Sequence, residues 1–372
     1  MDTLMTSALE ASRVARADAQ QAELDRRLTA TTVDALADAG LLTLCLPVEY
    51  GGPSEPLVDR LDALIEVARG DGAAGWCAGI SSTTSSLAAF VRPDIARTIF
   101  TGPGVATGGV FAPNGRGVRE GDGVRVTGRW QWGSGTQHCA WIVGGAMCDD
   151  GTQRVCFFPA DQVEFVDTWH TSGMRGTGSL DIAVTDVWVA DEFTLQPGVT
   201  GVFVDEPVAH FPNFTLLALG IASTGLGVAR RALDEVRDLA MAKTPQFSSR
   251  TLSQSGYAQT EFACAEARWR AARALLRAEV VAAWDDAVSG HRIPVEARVA
   301  MRLAATHAAI ESVAVVDAAW TLAGGSAVYD TSVLGRCLRD VHVVTQHIMV
   351  APKLNETLGK FLLGAEFNAA MI

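Results

Sequence analysis

Residues 179–189, Ser-Leu-Asp-Ile-Ala-Val-Thr-Asp-Val-Trp-Val, decide the fold class. Leu180, Ile182 and Val184 alternate with Asp181, Ala183 and Thr185, the period of two that a half-buried strand requires. VRVTG (124–128) and RVCFF (154–158) behave likewise, and glycine-rich turns separate these short runs from Gly102 to about Pro197. No helix-period segment lies between them, so the block reads as a β-barrel or sandwich rather than a βαβ sheet.

On both sides the period returns to 3.6. Upstream, Leu57, Leu61, Leu64, Ile65 and Ala68 share one helix face, LPVEYGGPSEP (46–56) is a turn-rich connector, Asp71–Phe90 reads as a second helix, and Pro93 restarts another. Downstream, Leu217, Ile221, Thr224, Val228, Ala232 and Val236 form a stripe. Phe262, Trp269 and Leu276, with Ala265 and Ala272 between them, form a seam in a second helix. Val295, Val299, Leu303 and Ile310 line a third, and the chain after Ser332 supplies a fourth of similar length. Long helices with short connectors read as a four-helix bundle. The expected organisation is α+β: a helical domain over 1–101, a β-domain over 102–200 and a four-helix bundle over 208–372.

The 372 residues carry 30 Lys+Arg against 42 Asp+Glu, a formal net charge of −12. Such a surface repels phosphate backbones and anionic lipid, so neither nucleic acid nor membrane is expected as a partner. With 48% apolar and 19% charged residues there is ample material for a core. The N-terminus has no basic segment followed by an apolar one, and the seven cysteines are scattered without a CxxC pair. Reduced thiols in a cytoplasmic protein are the expectation.

Gly70-Asp71-Gly72-Ala73-Ala74-Gly75 has the GxGxxG spacing of a dinucleotide loop, but LDALIEVAR before it is helical, so a helix–helix turn is expected. There is no P-loop, no HExxH and no GxSxG, and none of the seven histidines has ligand spacing with another donor, so no metal site is expected. The β segment is richer. GGVFAPNGRG (108–117) offers backbone N–H groups, GRWQWGSGTQHCAW (128–141) holds three tryptophans beside a Ser-Gly turn, and TWHTSGMRGTGSLDI (168–182) adds a Trp, an Arg and small hydroxyl residues. Such a mixture suits a flat heteroaromatic ligand. It equally suits tryptophans that fill a β core.

Five stretches in order resemble the acyl-CoA dehydrogenase superfamily of flavoproteins over nearly the whole chain: LLTLCLPVEYGG (41–52), VFAPNGRG (110–117), GRWQWGSG (128–135), GMRGTGSLDIAVTDVWVADE (173–192) and LAGGSAVYDTSVLGRCLRDV (322–341). The resemblance implies FAD between the β-domain and the bundle, in a homotetramer. By matching positions Trp132 and Ser134 would sit beside the isoalloxazine, with Ser134 bonding near N5 or O4. The backbone of Phe111, Ala112 and Pro113 would reach the pyrimidine edge. Gly324, Gly325 and Ser326 would approach a pyrophosphate, that of a neighbour's FAD. The arginine of the family's KxRxxFG is missing from Lys243-Thr244-Pro245-Gln246-Phe247-Ser248, and Arg250 would substitute for it.

The catalytic glutamate of an acyl-CoA dehydrogenase is missing from both family locations, which Ile348 and Thr215 occupy. RDVHVVTQH (339–347) instead resembles the branch of flavin-dependent monooxygenases and N-oxygenases. That branch takes reduced FAD or FMN as co-substrate from a separate flavin reductase and forms a C4a-(hydro)peroxyflavin, with a histidine, here His347, facing the flavin. Where aromatic hydroxylases of the branch place another histidine, GWCAGISSTTSS (75–86) carries Thr83, Thr84 and serines, so no phenol-deprotonating base is expected there. The implied activity is monooxygenation of a small hydrophobic or aromatic substrate, with His347 and Ser134 as catalytic residues. The alternatives are α,β-dehydrogenation of an acyl thioester, with Glu261 as a base, and a non-catalytic flavin-binding subunit of a hetero-oligomer.

Overall fold

The computed structural model describes residues 3–102, 104–369 and 372; Met1, Asp2, Pro103, Ala370 and Met371, which the expected domain bounds include, lie outside the described residues. The helical N-terminal region consists of α1 (Thr3–Asp25), α2 (Ala30–Asp38), α3 (Leu57–Gly70), α4 (Gly72–Ser85) and α5 (Pro93–Phe100). GDGAAG is the expected turn between two helices. Asp71 caps α4 by accepting from Ala74 N–H at 3.0 Å. Gly75 is required because a Cβ there would lie 2.4 Å from the Ala68 methyl on α3.

Seven strands follow among the described residues: β1 (Thr107–Glu120), β2 (Gly123–Gly133), β3 (Trp141–Cys148), β4 (Gln153–Pro159), β5 (Glu164–Val166), β6 (Leu180–Ala190) and β7 (Thr194–Leu195). They share one ladder in the order β5-β6-β2-β1-β3-β4-β7, antiparallel except for the parallel pair β1–β3. The alternating run that set the fold class is β6, paired with β2 and β5. Register breaks at Val110/Gly115 in β1 and at Val126/Gly128 and Trp130/Gly133 in β2 interrupt the ladder at three places. Trp130 is buried beside the first break and donates its indole N–H to Gly145 O at 2.8 Å.

The bundle is α6 (Asn213–Ala242), α7 (Gly256–Val288), α8 (Val295–Ala323) and α9 (Val333–Val344), with α10 (Leu354–Leu362) beyond. The fourth helix is shorter than the sequence suggested. It stops at Val344, where Thr345 bonds back to His342 O and the tighter turns Gln346 N–H to Val343 O and His347 N–H to Val344 O replace the helical ladder. His347 therefore sits in a turn and not on a helix face. The α6 stripe is buried throughout. In α7 and α8 the inward seams are mainly alanine: Ala258, Ala265, Ala272, Ala283 and Ala287 in one, and Ala304, Ala305, Ala308, Ala309 and Ala319 in the other. Leu303 of the expected α8 stripe is exposed, while Arg302 beside it is fully buried. Small side chains let the helix axes approach, and the larger residues flank the seam. The most apolar stretch of α6 is long enough to span a membrane, but 89% of it is buried inside the molecule.

Candidate active site

The site forms where α4, the end of β2 and the turn after α9 meet. Trp76, on the buried face of α4, donates its indole N–H to Ser134 Oγ at 3.0 Å. Its ring meets the His347 imidazole edge-on, with centroids 5.6 Å apart. Two residues singled out from sequence, Ser134 and His347, are thus brought together by a third that was not.

Ser134 follows Trp132, whose φ of 67° is left-handed, a conformation that costs a non-glycine residue on the order of 1 kcal/mol. The twist interrupts the β2–β6 pairing, which resumes only at Gly133–Leu180, and turns the Trp132 indole outward, leaving it 69% exposed, while Ser134 turns in and is buried. The tryptophans therefore divide. Trp130 fills the core, Trp141 stacks on Phe193, Trp169 donates to Met174 O at 3.0 Å, and Trp132 offers an open aromatic face. Across the sheet, residues 111–114 pair in register with neither β2 nor β3, so the backbone around Phe111, Ala112 and Pro113 lies outside the ladder.

His347 Nδ1 accepts from Met349 N–H at 3.2 Å, which assigns its proton to Nε2. Burial, with the charge of Arg302 adding to it, pushes the imidazole down to about 4, so the ring is neutral at physiological pH and presents one N–H. The turn is held from beneath by Arg302, which donates to Met349 O at 2.9 Å and to Phe214 O at 3.2 Å. Its own burial pushes this guanidinium down to about 10. No sequence signal marked Arg302, because an arginine within an alanine-rich helix reads as a solvated residue.

Neither family location for a catalytic base holds a carboxylate. Ile348 is 65% exposed and points away, and Thr215 is fully buried. Glu261, in the second turn of α7, has no hydrogen bond or ring contact to the His347 cluster among the described residues. On α4 the hydroxyls of Thr83 and Thr84 bond back to Gly79 O and Ile80 O, so neither is presented as a base. His170 is exposed beside Asp167, and burial pushes His138 down to about 4.

A second set of expected residues lies elsewhere. Lys243, at the C-cap of α6, donates to Ala323 O at 2.7 Å and to Ser326 Oγ at 2.9 Å, and so holds the loop Gly324-Gly325-Ser326. Arg250 is exposed on the loop that follows. Gly220 of α6 lies beside Gly79 of α4, and Lys243 is about 35 Å farther along a helix rising 1.5 Å per residue. The structure thus separates the Ser134–His347 cluster from the Gly324 loop within one chain.

These features fit a flavin: an open indole face, unpaired backbone at a strand break, a buried hydroxyl, and a glycine loop carrying a cation. Residues 219–352 match the acyl-CoA dehydrogenase C-terminal domain family and residues 5–96 the acyl-CoA dehydrogenase N-terminal domain family. The chain is 30% identical to indole-3-acetate monooxygenase of Pseudomonas putida, over 98% of each chain. It is 26% identical to the flavin-dependent monooxygenase oxygenase subunit HsaA of Rhodococcus jostii, over 91% of this chain and 92% of that one. Among solved structures, the HsaA monooxygenase of M. tuberculosis superposes with a TM-score of 0.88 at 26% identity, over 98% of both chains. The protein belongs to the acyl-CoA dehydrogenase superfamily. Within it the chain falls in the flavin-dependent monooxygenase branch and is an oxidoreductase.

Proposed function

We propose that the protein is the oxygenase component of a two-component system and hydroxylates a small hydrophobic, aromatic substrate of indole-like size with reduced flavin from a separate reductase. The observation that carries this reading is the neutral His347–Trp76–Ser134 cluster, formed where the superfamily's carboxylate base is absent. The bound reduced flavin supplies the electrons that activate dioxygen. The chain's own residues position and protect: Trp132 offers a stacking face, Ser134 a hydroxyl at the ring edge, and the 111–113 backbone its amides. His347 holds a proton on Nε2, from which it can donate toward oxygen or substrate without carrying charge. Trp76, buried between them, keeps bulk water from that proton.

The length of α6 between Gly220 and Lys243, about 35 Å, supports an oligomer, because it sets the Gly324 loop toward the far end of that helix from the α4 contact beside Ser134. Gly324, Gly325, Ser326 and Lys243, with Arg250 nearby in sequence, would then serve a partner's cofactor in a homotetramer. The outer face of α7, with Tyr257, Val281 and Val288 exposed, is a surface such an assembly can cover. The seven unpaired thiols, six of them buried, are in keeping with a cytoplasmic location.

The test is stopped-flow absorbance of the reduced-FAD-loaded protein mixed with oxygenated buffer. A transient preceding oxidised flavin, with product from an indole-type substrate, is expected. Direct oxidation without a transient, together with bleaching of oxidised FAD by an acyl-CoA, would instead make the protein a dehydrogenase.

A further inference from the structure

Ser134 Oγ is the last hydroxyl of a buried chain whose proton direction can be deduced. Thr177 Oγ1 lies 2.8 Å from Met174 O and must donate to it, since a carbonyl only accepts. Thr177 has a single hydroxyl proton, so its 2.6 Å contact with Ser179 Oγ is donated by Ser179. Ser179 has then spent its own proton, and the 2.7 Å contact between Ser134 and Ser179 is donated by Ser134. Ser134 also receives the Trp76 indole N–H. It is left with one lone pair and no proton. Reversing the chain would set two acceptor oxygens against each other at 2.8 Å. The Met174 carbonyl that fixes the direction is anchored in turn, because Met174 N–H donates to buried Asp340 at 2.5 Å. All three hydroxyl residues are buried.

We propose that Thr177 and Ser179 are positioning residues that hold Ser134 as a hydrogen-bond acceptor toward the flavin, and so favour a ring carrying N5–H over an oxidised ring whose N5 only accepts. The inference rests on the proposed flavin site. Its chemistry is that of the two ring states: reduced flavin donates at N5, and oxidised flavin presents a lone pair there. A serine without a proton to give meets the first with a hydrogen bond and the second with lone-pair repulsion. The relay therefore discriminates between the co-substrate and the spent cofactor that must leave after turnover.

The experiment is equilibrium titration of the full chain with oxidised FAD in air and with photoreduced FAD under anaerobic conditions, read by quenching of tryptophan fluorescence. Wild type should bind the reduced form more tightly. Thr177→Val removes the hydroxyl that starts the chain, yet leaves Met174 O its bonds from Thr177 N–H at 3.1 Å and Trp169 at 3.0 Å. Ser179→Ala frees the Ser134 proton directly. Each should tighten oxidised FAD by about three- to tenfold and leave reduced FAD nearly unchanged, while Thr177→Ser restores the wild-type ratio. If both substitutions weaken the two forms equally, or leave their ratio as in wild type, or if wild type shows no preference, the relay has no such role. If wild type binds neither form, the flavin site itself is wrong and the inference falls with it.

Discussion

The two ends of the proposed flavin site are built on opposite plans. Around Ser134 and His347 the polar groups are buried, and each is held by a defined partner: Trp76 on Ser134, Met349 on His347, Arg302 on the Met349 carbonyl. Around Gly324 two glycines are exposed, and one ammonium, that of Lys243, does the holding. The first end fixes proton positions, as chemistry at a single ring atom demands. The second offers an open backbone and a charge tethered to Ala323 O and Ser326 Oγ, a set suited to attracting a diphosphate. On the proposed reading, orientation is concentrated where bonds change, and simple electrostatic attraction serves where they do not.

The most severe way to break this contrast is His347→Ala. Removing the neutral Nε2–H donor should lower product formed per reduced flavin consumed by roughly 10²- to 10⁴-fold, the range for loss of a positioned proton donor, while FAD affinity changes only a few-fold. Product and hydrogen peroxide measured in the same reaction give the coupling. Undiminished product would remove His347 from the chemistry and leave it a packing residue.

The next largest effect concerns the support beneath the relay. Asp340 and Asp71 are buried within reach of each other's field. Burial, followed by this mutual repulsion, pushes Asp340 up to about 7; burial also pushes Asp71 up, to about 6. A carboxyl with a raised folded-state value binds its proton more tightly in the native state. Its stabilisation is complete below the unfolded value near 4 and is lost as pH rises through 6 to 7. Thermal stability should therefore fall between pH 5 and pH 8. Asp340→Asn, which keeps an oxygen for the Met174 N–H, should flatten that fall by on the order of one proton. Parallel melting curves for the two proteins across this window would show that Asp340 is already ionised in the native state.

Much of this was legible in the sequence, and what escaped did so for physical reasons. The switch from period 3.6 to 2 and back locates the helices and the sheet because one-sided burial writes itself into the chain. In α7 the sequence reading places Ala265 and Ala272 in the seam, and both are buried; the alanines of α8 carry a weaker signal, because the large apolar residues that mark a stripe flank such a seam instead of filling it. The end of α9 turns on a threonine side chain and tight backbone turns that carry no sequence signature, so His347 reads as helical. The hydroxyl relay joins positions 134, 177 and 179, and nothing in one strand announces what the neighbouring loop places against it. Arg302 and Lys243 give no signal in the sequence, because their partners are backbone carbonyls or a remote serine.

The smallest effect sharpens the contrast from the open end. Lys243→Met should leave folding nearly intact, since the side chain is half-buried and braces only one loop. If the Gly324 loop serves a partner's diphosphate, the substitution should weaken FAD by about tenfold, the loss of one charge-assisted bond. FMN, which has no such diphosphate, should bind as before. Titrating both flavins into wild type and variant separates the two ends. A variant that loses FAD and FMN equally would place Lys243 at the ring, and one that loses neither would leave the loop without a role in the cofactor. Selective loss of FAD, together with a wild-type coupling ratio once FAD is saturating, is the result expected if attraction at one end and proton placement at the other are independent functions of the fold.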